Sequence, residues 1–182
     1  MLRPAAFVLA IVLAGTAEAD ETVPEPEGYR TEDYRAPVPA TLAGATVVDP
    51  VEAHDLWQAG EVAFVDVLPA PPKPANLPPG TIWRDQPHYT IPGATWLPNV
   101  GYGELAEVNH AYFRAGLEQA TGGDPDRPVL FFCLLDCWMS WNAAKRALDY
   151  GYTHVLWLPE GTDGWTFYDY PVERVEAVPG GK

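Results

Sequence analysis

A chain of 182 residues with 11 basic and 25 acidic side chains, a net charge of −14 and two cysteines suits one domain with a single core. Such acidity disfavours nucleic acid and anionic lipid as partners. It leaves a solvated acidic coat, or docking onto a basic partner.

Residues 1–19, MLRPAAFVLAIVLAGTAEA, read as a secretory signal peptide. Arg3 supplies the positive start, Phe7 to Ala14 is apolar, and Ala17-Glu18-Ala19 is a small-x-small cleavage site. The apolar run is too short to cross a bilayer, and no later segment reaches that length, so no membrane span is expected in the mature chain. The expected location is a bacterial periplasm, with a mature chain starting near Asp20. Removing the leader takes one basic and one acidic residue and leaves the net charge at −14.

Residues 20–44 form a Pro- and Glu-rich stretch without apolar period, read as an extended arm draped over the domain. The folded domain is expected over 45–170 and a polar tail over 171–182. "ATVVDP" predicts a short strand, after which Asp49 and Pro50 are an N-cap and first-turn pair. The helix runs through Leu56 and stops at Gly60. Val62 to Val67 is a continuous apolar run of buried-strand type. Pro69 to Pro79 holds six prolines and is expected to be irregular. A short strand follows Gly93. Helical spacing of Leu105, Val108, Tyr112, Phe113 and Leu117 predicts a helix over Tyr102 to Ala120. Val129 to Cys133 is the next buried strand, Ser140 to Tyr150 a helix, and "HVLWLP" a further strand. "EGTDGW" is expected to be a loop. Strands alternating with helices argue an α/β fold with a mainly parallel central sheet in a single domain.

Both cysteines fall in "FFCLLDCWMSW", Phe131 to Trp141. Export favours a disulfide between them, yet so small a ring is worth only about 2 kcal/mol of loop entropy, against ~4.7 for a hundred-residue loop. The pair is therefore poorly placed as a brace alone. Cys133 ends a predicted buried strand and a helix follows, and reactive groups of open α/β sheets gather at that edge. A helix start favours a thiolate, while Asp136 opposes it.

The order Asp66-Val67, "HYTIPGA" (His88 to Ala94), a strand-Cys-loop-helix with "AA..AL..GY" (Ala143 to Tyr152) and "V..L..G..GW" (Val155 to Trp165) resembles the rhodanese domain. The resemblance covers Ala45 to Trp165. It implies a nucleophile at Cys133 able to carry a persulfide sulfur. The loop Leu134-Leu135-Asp136-Cys137-Trp138-Met139 has no Lys or Arg, and Leu68 follows Asp66-Val67 where rhodaneses carry Arg. At an effective dielectric near 20, one misplaced charge at 4 Å is worth about 4 kcal/mol, so thiosulfate sulfurtransfer is disfavoured. "CWMSWNAAKRAL" (Cys137 to Leu148) is similar to a narrower group of exported rhodanese-like proteins, marked by a close Cys pair followed by Trp. That resemblance implies an accessory role in PQQ-dependent alcohol catabolism, beside a quinoprotein dehydrogenase or its cytochrome.

Four readings of the pair stay open on the residues. In thiol–disulfide chemistry, Cys133 attacks and Cys137 resolves. In a binding module, Trp138 and Trp141 stack on a planar redox cofactor such as PQQ, or instead serve as core anchors. Met139 beside two thiols suits Cu(I), and the fourth reading is a plain brace. The supporting loop comprises Leu134, Leu135, Asp136, Trp138, Met139, Ser140 and Trp141, with Asp66 expected to cap or orient it. The four histidines give no zinc pattern, so no metal site is expected. His54 is expected at the surface, His110 mid-helix, His154 at a strand start and His88 in the "HYTIPGA" segment. Glu104, Glu107 and Glu118 read as a solvated face.

Overall fold

The computed structural model describes residues 23–71, 73–82 and 86–181. The signal-peptide reading of residues 1–19 therefore lies outside the described residues, as does the start of the arm. Local rules set the first helix. The Asp49 carboxylate accepts from the N–H groups of Val51 and Glu52, each at 2.8 Å, and Glu52 accepts in turn from Asp49 N at 3.0 Å. This reciprocal cap starts α1 (Pro50–Ala59), and Gly60 at φ 73° ends it.

Five parallel strands form the central sheet: β1 (Thr46–Val47), β2 (Ala63–Asp66), β4 (Thr95–Trp96), β5 (Val129–Phe132) and β6 (Val155–Leu158), in the order β1-β6-β5-β2-β4. β3 (His88–Thr90) lies outside this sheet. The two-residue alternation of a strand sorts the apolar side chains onto opposite faces. Val65, Val67, Phe131 and Cys133 join one core with α2 (Glu107–Thr121) and α3 (Trp138–Asp149). Phe64, Leu130, Phe132 and Leu158 join the other with Ala53 of α1 and Trp165 of α4 (Gly161–Phe167). The mainly parallel sheet flanked by helices is the expected α/β architecture.

Four expectations are corrected. "EGTDGW" is not a loop but opens α4, because burying Trp165 completely outweighs the low helix propensity of two glycines. Gly161 sits at φ 54°, and a Cβ there would collide with the Cys133 carbonyl. The polar tail contains β7 (Glu173–Val175), which pairs antiparallel with β3; beyond it Val178 N donates to Trp96 O at 3.0 Å. The helix expected from Tyr102 starts at Glu107. The Val100, Tyr102 and Gly103 carbonyls are committed to Arg146, at 2.8 to 3.0 Å, which holds that segment open. α3 starts two residues earlier than expected, at Trp138.

The described part of the arm lies on α3. The Arg30 N–H donates to Asn142 Oδ1 at 2.9 Å, and the Arg30 carbonyl accepts from Asn142 Nδ2 at 2.8 Å. Tyr29 bonds Asp149 through its hydroxyl and stacks on the buried Arg146 guanidinium, 4.1 Å from the ring centre. Burial holds the Arg146 pKa below its ordinary value and raises the Tyr29 phenol, chiefly by burial and then through the Asp149 hydrogen bond.

Candidate functional site

Cys133 follows β5, the middle strand of the sheet, and Cys137 is the N-cap of α3. The two sulfurs are joined in a disulfide with a Cα–Cα separation of 6.4 Å, within the usual range for such bridges. The turn between them needs a left-handed residue, which Asp136 supplies at φ 52°. Asp is among the few non-glycine types that take this conformation readily.

Neighbours from both sides fix the loop. Thr162 donates its N–H and its hydroxyl to the Cys133 carbonyl at 2.9 and 3.1 Å. Leu134 bridges to Gly161, and Leu135 N donates to the Asp163 carboxylate at 3.0 Å. Ser140 donates to the Cys137 carbonyl at 3.1 Å and accepts from the indole of Trp157 at 3.0 Å. Buried and twice bonded, Ser140 anchors the start of α3 to β6. Met139 is buried beside it, and its backbone leaves no room for a Cβ at Gly101.

The bridge is not open to solvent. Cys133 is 0% and Cys137 2% exposed. The arm contributes to this cover: Arg35 pairs with Cys137 in an antiparallel bridge, and Tyr34 O accepts from Trp138 N at 2.9 Å. A strand-end position for the pair was legible in the sequence; the seal over it was not, because it comes from residues a hundred positions away.

The stacking platform expected of Trp138 and Trp141 is absent from the surface. Both rings are buried, 5.4 Å apart edge to face, and their indole N–H groups donate to Pro37 O and Thr41 O at 3.1 Å. They are core anchors, and their indoles also hold the arm. Arg30 lies over the Trp138 ring at 5.3 Å, so the arm brings a cation near a loop that has none.

Asp66 does not orient the cysteine loop through its side chain. It projects on the opposite face from Cys133 and binds His88 Nε2 at 2.7 Å, Thr90 Oγ1 at 2.6 Å and Leu68 N at 2.8 Å. His88 also stacks on Trp96. Asp66 thus ties β3 to the sheet edge, and period-2 alternation decides which face it serves. His54, expected at the surface, is half-buried and stacks on Tyr170 at 3.9 Å. His110 Nδ1 lies 2.6 Å from the Tyr150 hydroxyl, and His154 borders β6. Glu104, Glu107 and Glu118 are exposed, as expected of a solvated face. No group of three or more His, Cys, Asp or Glu placed to hold a metal occurs among the described residues, and no helix among them is long and apolar enough to cross a membrane. Bridged sulfurs offer no thiolate to Cu(I).

Beside the loop, sequence reasoning missed an open cleft of about 420 Å³ lined by Pro50, Leu135, Glu160, Asp163, Phe167 and Tyr168. Reading "EGTDGW" as a loop hid it. Burial raises the Glu160 pKa above its ordinary value, with the Asp49 charge adding to the shift. An acid whose pKa rises on folding binds its proton more tightly when folded, so its contribution falls as pH climbs through its unfolded and then its folded value. Glu160→Gln should therefore raise the melting temperature at about pH 7 and leave it unchanged well below pH 4, as read by calorimetry at both pH values.

No protein-family model matches the chain, and no curated protein does. Among solved structures, a thiosulfate sulfurtransferase from Pseudomonas aeruginosa is similar at 17% identity and a TM-score of 0.50, over 73% of this chain and 21% of that one. This chain thus spans about a fifth of that relative's length. A polysulfide-sulfur transferase homodimer from Wolinella succinogenes matches at 16% identity and TM-score 0.43, over 72% and 80%. A Rhodopseudomonas palustris protein described as a possible tyrosine phosphatase matches at 19% identity and TM-score 0.43, over 72% and 86%. The fold is rhodanese-like.

Proposed function

We infer that the chain is an exported, periplasmic accessory protein of PQQ-dependent alcohol oxidation whose Cys133–Cys137 pair works as a thiol–disulfide couple. The observation that carries the reading is the place of the bridge: the end of the middle strand, with Cys137 at the start of a twelve-residue helix. A partner thiolate attacking Cys133 expels Cys137 as a thiolate, which the N-terminus of α3 stabilises. The partner's second thiol then resolves the mixed disulfide. Two electrons and two protons pass to the pair, and the partner dithiol becomes a disulfide. The buried bridge has to be uncovered for this, at the arm or at Leu135.

A cation-free loop supports this over persulfide transfer from anionic donors. Direct capture of PQQ at the loop is disfavoured, since the cofactor is a tricarboxylate and the adjoining cleft carries Glu160 and Asp163. Both indoles that would stack on it are buried. The association with quinoprotein oxidation is therefore one of protein partnership, and it rests on the "CWMSWNAAKRAL" resemblance.

A strain deleted for this chain should grow normally on acetate and poorly on a primary alcohol, with growth restored by the wild-type copy. Equal growth of the deletion strain and its parent on both carbon sources would remove the alcohol-oxidation role.

A further inference from the structure

The cleft beside the cysteine loop is lined by Leu135, Phe167 and Tyr168, and its rim is bare. Phe167 is 80% exposed, Tyr168 48% and Leu135 45%. Large apolar groups clustered at the surface mark contact sites rather than ordinary scatter. Tyr168 and Phe167 pack edge to face, 5.3 Å apart, which gives the rim an aromatic wall. Leu135 belongs to the turn closed by the disulfide.

The charges are one-sided. Glu160 and Asp163 line the cleft with no Lys or Arg among its lining residues, and Asp136 and Asp169 adjoin Leu135 and Tyr168 in the chain. The buried Oε2 of Glu160 has no hydrogen-bond partner among the described residues. A second copy of this chain would bring the same −14 charge to the contact and be repelled. A small cation in the cleft would leave the outer face of Phe167 uncovered, whereas a protein surface would cover it.

We propose that Leu135, Phe167 and Tyr168 with Glu160 and Asp163 form the docking surface for a protein partner that presents a basic side chain set among apolar ones. The apolar wall supplies contact area, and the carboxylates select the sign of the partner's charge and steer its approach. The surface places the partner against the turn that holds the bridge, yet docking does not depend on the bridge being exchanged.

The test uses the isotope-labelled full chain with its bridge intact, titrated with acetyl-Leu-Lys-Phe-Lys-Leu-amide, the same peptide with Glu for Lys, and butylammonium. The expected result is saturable amide shifts at Leu135, Gly164 and Phe167 with the basic peptide alone. Glu160→Gln combined with Asp163→Asn should weaken binding about twofold to thirtyfold, the worth of two partly exposed charge pairs. Phe167→Ser, at an exposed position that does not threaten the fold, should weaken it as well. Equal binding of the acidic peptide, shifts confined to another face, or butylammonium binding as tightly as the peptide would overturn the proposal. So would an absence of saturable shifts, whatever the redox behaviour of the bridge.

Discussion

Trp141→Ala is expected to lower stability by about 3–5 kcal/mol, the usual cost of emptying a buried tryptophan site. Against the 5–15 kcal/mol that holds a typical domain together, this is a large share, and it corresponds to a melting temperature about 10 °C lower. Two effects combine. The fully buried ring is lost from the core between α3 and the sheet, and Thr41 O loses the indole donor that pins the arm. The arm should therefore become sensitive to protease at temperatures where the domain remains folded. Calorimetry with timed proteolysis reads both effects. A loss under about 0.5 kcal/mol, within the range of an ordinary surface substitution, would show that the ring is not the anchor described.

Cys133→Ala should separate brace from function. Loop entropy predicts a loss of about 2 kcal/mol from opening so small a ring, with a melting temperature lower by roughly 4–8 °C. Alanine is the cleaner probe because a serine hydroxyl at this buried position adds a desolvation cost of about 1–3 kcal/mol if left unpaired. The variant should fold and yet fail to restore growth on alcohol to the deletion strain. Restored growth with a melting temperature lowered by much more than this would make the bridge a fastener.

The sheet was legible because each long strand is a short apolar run between turn signals, and Asp49 and Gly60 mark their helix ends with side-chain and backbone chemistry that needs no tertiary partner. The position of Cys133 followed from the same runs. What escaped depends on long-range packing. Nothing near Trp138 and Trp141 in the sequence tells that Pro37 and Thr41 lie over them, so a stacking platform and a buried anchor read alike. Asp66 was assigned to the cysteine loop by proximity along the strand edge, but its alternation places it on the other face, with His88 and Thr90. Gly161 and Gly164 concealed a helix whose one strong term is the burial of Trp165. The acidic rim was visible only as net charge; its concentration beside Leu135 required the fold.

The reduction potential of the Cys133–Cys137 bridge tests the central claim most directly. The full chain is equilibrated in dithiol buffers of graded potential, quenched by alkylation, and its free thiols are counted by mass. A working couple should titrate between about −120 and −270 mV, the span of known exchange-active pairs, whereas a bridge below about −300 mV would be a structural disulfide and would contradict the account.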